Sequence, residues 1–575
     1  MTSSLVSADG TTVGTGVDRA QASFAVGELH FDDAALEQTR RQSDALAAWR
    51  SAFASTTLEA AACKARGDFA VVVRDAVGTK LAVDRFAIRT LCYRIDGDTI
   101  RVAERADDLA DDTTEIDAQA IFDYLYFHAI PSPRTIFKGV HRLPPGHCAR
   151  FARGELTVEP YWRPVFVDGP ARFDELREEF RALLRAAVKR RLGNGTTACF
   201  LSGGTDSSTV AGLLGEVTGA PAASYSIGFE AEGYDEMSYA RIAARHFGTH
   251  HHEYYVTPDD IVRELPRIAA HYDQPFGNSS ALPSYLCQMR ARADGVTRMF
   301  AGDGGDELFG GNERYAKQSV FQWYGRIPQP LRQHLLEPAL LGTALGRLPL
   351  VRKGASYITQ ARTPLPDRLQ SYNLIERLQP AAVLTPEFLS RIDLEAPMKQ
   401  QRAVWSQADG AGELDRMLAF DWRYTLAEND LPKVCGTAAL AGMEVAFPLL
   451  DDDLLAFSMR LPTAYKLRGL KLRWFFKEAL RGFLPDEIIA KPKHGFGLPF
   501  GVWLTRHPAL RTFAEQALRQ LATRGIVRPE FIEEVLNQRL AEHPGYYGNL
   551  VWILITLELW FRGRDEKSRS RRASV

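Results

Sequence analysis

The feature that most constrains this chain is Leu201-Ser202-Gly203-Gly204-Thr205-Asp206-Ser207-Ser208, set between a β-prone apolar run at 196–201 and a helical run from Thr209 onward. A strand that breaks at two glycines and passes at once into a helix is built to meet an anion. The glycines let the backbone approach a phosphate, the helix N-terminus points N–H groups at it, and Ser202, Ser207 and Ser208 add hydroxyl donors. Asp206 cannot hold phosphate directly. A carboxylate among phosphates needs a cation between them, so the loop implies a nucleoside triphosphate such as ATP together with Mg²⁺.

The bland alternative is a tight turn whose Asp-Ser-Ser caps the next helix. A second stretch weighs against it. Residues 299–311 again leave an apolar strand for a glycine-rich turn, and Asp303, Asp306 and Glu307 fall within five residues of one another. Carboxylates that close repel one another without a cation. Two such turns at strand ends suit one crevice at the carboxyl edge of a parallel sheet, with Asp206 and Asp306 as joint metal ligands.

The rest of the chain sets limits. At 575 residues it should hold at least two domains. Seventy basic against 71 acidic residues leave a net charge of −1, which offers no electrostatic footprint for nucleic acid. Six cysteines lie scattered without a C-x-x-C pair, as suits a reducing cytoplasm and not structural zinc. No signal-peptide pattern and no apolar run of spanning length is present, so no membrane partner is expected.

Residues 1–168 read as an α+β layered domain, with strand-like pieces at 69–73, 80–83 and 99–103. A charged amphipathic helix at 173–191 then leads into alternating strands and helices up to about residue 310, the pattern of a doubly wound parallel sheet. Residues 315–560 read as helical additions ending in an aromatic helix at 546–561, and the basic tail 563–575 is expected to lack fixed structure. The run His250-His251-His252 reads as a strand start, because neighbours on a strand face opposite ways and cannot share one metal.

These residues, together with 225–229, Leu431-Pro432-Lys433, 444–451 and 491–496, resemble the asparagine synthetase-like ATP pyrophosphatases. The resemblance covers most of the chain. It implies a degenerate Ntn-hydrolase-like glutaminase domain at 1–168 and an ATP pyrophosphatase domain at 169–562. It also implies adenylation of a substrate carboxylate, release of pyrophosphate, and displacement of AMP by an amine. Carried over by position, Ser202, Gly203, Gly204, Asp206, Ser207 and Ser208 hold pyrophosphate, and Leu201, Ile227, Ala301 and Gly302 line the nucleotide pocket. Asp206 and Asp306 hold Mg²⁺. Lys493 steadies charge during adenylation and acyl transfer, where a fixed cation in a dry site counts most. Asp303 falls where the family places a substrate-side polar residue.

The front domain departs from the pattern. A working glutaminase carries cysteine directly after the initiator Met, whereas residue 2 here is Thr2, followed by Ser3 and Ser4, and the glutamine-binding arginine and asparagine motifs are missing from the first 65 residues. An amine carried by the substrate itself is then expected, as in β-lactam synthetase, carbapenam synthetase and the lasso peptide cyclases. Asp303 departs from the glutamate of asparagine synthetases and the tyrosine of β-lactam synthetase. Small residues at 434–443 are expected to leave room for a substrate larger than aspartate. The reading favoured is macrolactam formation on a lasso precursor peptide, with a leader-removing protease as pathway partner. An ammonia-dependent synthetase or amidotransferase acting on a small acid is the alternative, and a non-enzymatic binding module a third.

Overall fold

The computed structural model describes residues 22–169, 172–325, 357–408, 411–492 and 497–573, with short stretches between 327 and 338. Thr2, Ser3, Ser4 and Lys493 lie outside the described residues. Contacts divide the chain into two compact units, Met1–Asp117 with Ser132–Trp162, and Ala118–Pro131 with Arg163–Val575. The boundary expected near 168 falls between Trp162 and Arg163, and one earlier segment, Ala118–Pro131, also belongs to the second unit: its helix Ala118–Phe127 packs there, with Tyr124 Oη donating to Ile553 O at 2.8 Å.

In the first unit an antiparallel sheet runs in the order Phe24–Val26, Ala70–Asp75, Gly78–Val83, His147–Ala152, Glu155–Pro160. Strand alternation decides its layers. Val71 and Val73 pack toward Trp49 and Phe53 of the helix Ala45–Ser55, while Ala70 and Val72 pack toward Tyr93, Ile100 and Val102 of a three-stranded sheet. The result is helix, sheet, sheet, the α+β layering expected.

The second unit is built on five parallel strands: β1 (Thr197–Phe200), β2 (Ala223–Phe229), β3 (His250–Val256), β4 (Arg298–Phe300) and β5 (Glu444–Ala446), in the order β3-β2-β1-β4-β5. The helices Thr205–Thr218 and Met237–Phe247 carry the chain outward to β3. Those at Pro258–His271 and Ala281–Ala293 bring it back, and right-handed crossovers in opposite directions place the two sets on opposite faces. Cys287 and Ala291 of the returning set cover Ala198, Tyr225 and Met299. Order reverses between β1 and β4, so their carboxyl ends frame a crevice.

Below the β4 turn, Phe180 of the helix Phe173–Arg190 sits among Phe309, Phe457, Phe475 and Phe476 at centroid distances of 5.1 to 5.6 Å. This ring cluster anchors the short helix Gly305–Phe309 that carries Asp306 and Glu307. The three histidines do open β3: His251 Nδ1 meets Ser224 Oγ at 2.9 Å and His252 stacks on Tyr225 at 4.5 Å.

Residues 563–573 of the tail expected to lack structure are helical instead, continuing the helix Pro544–Ala573. It is held by tertiary contacts that composition does not reveal. Asp565 pairs with Arg524 at 3.1 Å, and Lys567 Nζ donates to Ala270 O at 3.1 Å. No described helix is long and apolar enough to cross a membrane.

Candidate active site

The loop after β1 is shaped before any ligand arrives. Gly203 has φ +70°, and a Cβ there would stand 2.4 Å from Ala240 N, so both backbone angle and space demand glycine. Ser207 Oγ receives the N–H of Ser202 at 3.1 Å and lies 3.0 Å from Ser202 Oγ. The following helix has no side-chain cap at Gly204, leaving first-turn N–H groups toward the crevice. Ser208 is fully buried, and its Oγ has no partner among the described residues.

The β4 loop closes against the first. A Cβ on Gly302 would lie 2.9 Å from Ser207 N and one on Gly305 2.0 Å from Asp206 Oδ1, so the two loops touch backbone to side chain. Between them opens a cavity of about 280 Å³, lined among others by Leu201, Ser202, Asp206, Ser207, Ile227, Gly302, Asp303 and Asp306. Gly204 lies on an adjoining cavity of about 780 Å³ that shares Ser202, Asp206, Ser207 and Asp306 and extends to Lys491 and Pro492. Gly203, Ser208 and Ala301 support these walls from behind and line neither. Lys493 would follow Pro492 directly, but no position is described for it.

Asp206 and Asp306 converge, as their motifs suggest, yet the cation between them is one the sequence did not signal. Arg473 Nη1 lies 2.8 Å from Asp206 Oδ2, 2.7 Å from Asp306 Oδ1 and 2.8 Å from Thr205 Oγ1, and Nη2 also binds Asp206. Arg473 sits at φ +53°, a left-handed backbone position uncommon for any residue other than glycine. Burial works against its charge, but Asp206 and Asp306 outweigh burial and hold it above the ordinary range. Two carboxylates beside a phosphate cradle are the donor set Mg²⁺ uses when substrate oxygens complete its shell, so the residues fit the ion.

A second charged group faces the same cavity. Lys433 Nζ lies 3.3 Å from Asp303 Oδ1 and 3.1 Å from Asp430 Oδ1. Burial tends to lower the Lys433 pKa, yet Asp430 and Asp303 raise it on balance. Asp303 is pushed up, chiefly by burial and further by Asp430, with Lys433 opposing. Among the described lining residues, Asp206, Asp303, Asp306, Glu307 and Asp430 face the cavity with Lys433 as the sole Lys or Arg. Such a cavity calls for cations from its ligands.

One expectation fails here. The small residues at 434–443 leave no open room at Gly436, because the buried ring of Tyr272 fills it: a Cβ on Gly436 would meet Tyr272 Cε1 at 2.4 Å. Tyr272 Oη donates to Lys433 O at 3.1 Å and so braces the turn that presents Lys433.

The family model for asparagine synthase matches residues 179–562 and that for a glutamine amidotransferase domain matches residues 37–162. The chain belongs to the asparagine synthase family. Its relatives include asparagine synthetase [glutamine-hydrolyzing] 1 of Bacillus subtilis, 24% identical over 88% of this chain and 79% of that protein. A putative asparagine synthetase of Mycobacterium tuberculosis is 28% identical over 76% of this chain and 68% of its own length. Amidase chry2 of Gibberella zeae is 29% identical over 76% and 70%. The protein is an ATP-dependent amide-forming ligase with an amidotransferase-type front unit.

Proposed function

We propose that the second unit adenylates a carboxylate and that the amine which displaces AMP belongs to the same substrate, most specifically the amino terminus of a lasso precursor peptide closing on its own Asp or Glu side chain. A carboxylate oxygen attacks the α-phosphorus of ATP and pyrophosphate leaves. The amine nitrogen then attacks the acyl carbon, AMP leaves with the bonding pair, and the nitrogen gives up a proton. Ser202, Ser207 and the first-turn N–H groups bind the phosphates. Asp206 and Asp306 would hold Mg²⁺, which supplies charge neutralisation on the pyrophosphate when bound. Lys493 would steady the adenylate, with Asp303 on the substrate side.

The observation that carries the reading is the excess of carboxylates over lysine in the nucleotide cavity. After metal neutralises the phosphate side, Asp303 and Asp430 still outnumber Lys433, which suits a cationic amine arriving beside the acid. Missing glutamine-binding motifs in residues 1–65 point the same way. The pathway partner would then be a leader-removing protease. The test is incubation with ATP, Mg²⁺ and synthetic peptides bearing a free amino terminus and one internal acid. Loss of one water from the peptide, with AMP formed in equal amount, is expected.

The names of the relatives favour a second reading, a small acid aminated by ammonia. Robust AMP and asparagine formation from aspartate and ammonia would decide for it against the peptide.

A further inference from the structure

We infer that a second chamber beside the nucleotide cavity seats the body of the substrate, and that it is built for an uncharged chain of amide groups, a peptide segment. The inference rests on the adenylation reading above for its purpose, though not for its geometry.

The chamber has a volume of about 560 Å³ and shares Asp430 with the nucleotide cavity, so the two are neighbours across one residue. Its walls are rings and amides. Phe127 and Tyr424 stack at 5.3 Å with planes 9° apart, Phe420 lies 4.7 Å from Tyr424, and Asn278 and Asn429 are joined side chain to side chain at 2.6 Å.

Four buried polar atoms on these walls have no hydrogen-bond partner among the described residues: Tyr126 Oη, Tyr424 Oη, His128 Nε2 and Gln401 Oε1. Buried polar groups are nearly always satisfied, so four exceptions among the residues of one chamber are a concentration that a bound ligand would relieve as these side chains turn toward it. The charged groups of this lining each have an ion-pair partner, Lys433 being shared between Asp430 and Asp303. Arg314 binds Asp421, Arg423 binds Glu428 and Lys433 binds Asp430. Burial holds His128 neutral, its pKa down at about 4. What remains unmatched is a mixture of hydroxyl, imidazole and amide groups without net charge. A chain of peptide groups, each offering one donor, one acceptor and a planar face to stack, is the complement.

The backbone is also unusual at this place. Residues Trp422–Asp430 wind as a π-helix, a form rare in proteins and found mostly at functional sites, and this segment carries Tyr424, Glu428 and Asp430 to the chamber. His128 stands at φ +63°, pinned by its N–H to Tyr124 O at 2.7 Å and by Gly277 N–H to its own carbonyl at 2.8 Å. A left-handed residue held from both sides keeps its imidazole at one place in the lining.

The test is equilibrium dialysis of the full chain against the radiolabelled blocked tripeptide N-acetyl-glycyl-phenylalanyl-glycinamide, comparing wild type with the double variant Tyr126→Phe, Tyr424→Phe. Both changes keep the rings. Binding to wild type is expected, weakened at least about tenfold in the variant. The variant's thermal midpoint should be equal or higher, since two unsatisfied hydroxyls are gone. No binding to wild type at millimolar peptide, equal binding to both proteins, tighter binding of a disaccharide such as maltose, or a variant that loses both binding and thermal stability would each overturn the proposal. ATP–pyrophosphate exchange on the same samples separates the two readings: absence of exchange with every acid, alongside intact tripeptide binding, would refute the reaction and not the chamber.

Discussion

Two clusters of the same make-up, two aspartates around one cation, put their aspartates on one cavity and differ in the cation that holds them. Arg473 between Asp206 and Asp306 is a planar fork that holds two carboxylates at once and never gives up its proton. Lys433 between Asp303 and Asp430 is a point charge on a flexible stem, touching one oxygen of each. The first cluster keeps its charge fixed beside the loop after β1. The second holds a cation free to shift between its two partners. Equal composition therefore does not mean equal role; the shape of the cation sets what each cluster can do.

The comparison can be broken from either side. The largest effect is expected from Asp206→Asn, which removes a metal-ligand candidate and should cut AMP formation about a thousandfold or more while circular dichroism stays unchanged. A near-normal rate would remove Asp206 from the chemistry.

Next comes Arg473→Met, which leaves two half-buried carboxylates facing each other and should cost about 1–3 kcal/mol in chemical denaturation. Added Mg²⁺ should restore more stability to this variant than to wild type, because the ion now meets an unbalanced pair. If Mg²⁺ stabilises neither protein, the acids are not a metal site.

Lys433→Met should lower turnover about a hundredfold. The loss should fall on the amine step, so that in a single turnover pyrophosphate is released without matching AMP and amide; equal loss of pyrophosphate and amide would place Lys433 with the phosphate cluster instead.

The smallest effect is a slope. Asp303 has a folded pKa above its ordinary 3.8, so between the two values the folded state binds the proton that the unfolded state has lost. Its contribution to stability is full below 3.8 and is lost as pH rises through the folded value. Asp303→Asn should flatten that part of the stability–pH curve measured by thermal melts, and an unaltered slope would show that Asp303 is not the group titrating.

Local sequence made one cluster half legible. Asp206 and Asp306 announced themselves because each sits within a few residues of glycines whose spacing already implies a strand-to-helix turn. Arg473 did not, since it reaches Asp206 from 267 positions away and nothing beside it in the chain marks it. Lys433 stood in a recognised motif without a role, which came only when Asp303 and Asp430 were found around it. Small residues at 434–443 suggested space, yet at Gly436 the ring of Tyr272 fills it. Neither the π-helical winding nor the helix at 118–127 joining the second unit has a periodicity that distinguishes it in sequence.

What the sequence by itself determined is whatever a short stretch of backbone can carry: the phosphate loop, the acidic turn, the alternation of strands and helices, and through them family and reaction class. The tertiary structure alone decided which cations meet which acids, where the aromatic chamber opens, and that the terminal helix runs to Ala573. The physical reason is range. Turn geometry and helix dipoles act over a few residues, whereas charge pairing, ring packing and cavities are set by side chains that only folding brings within a few ångströms.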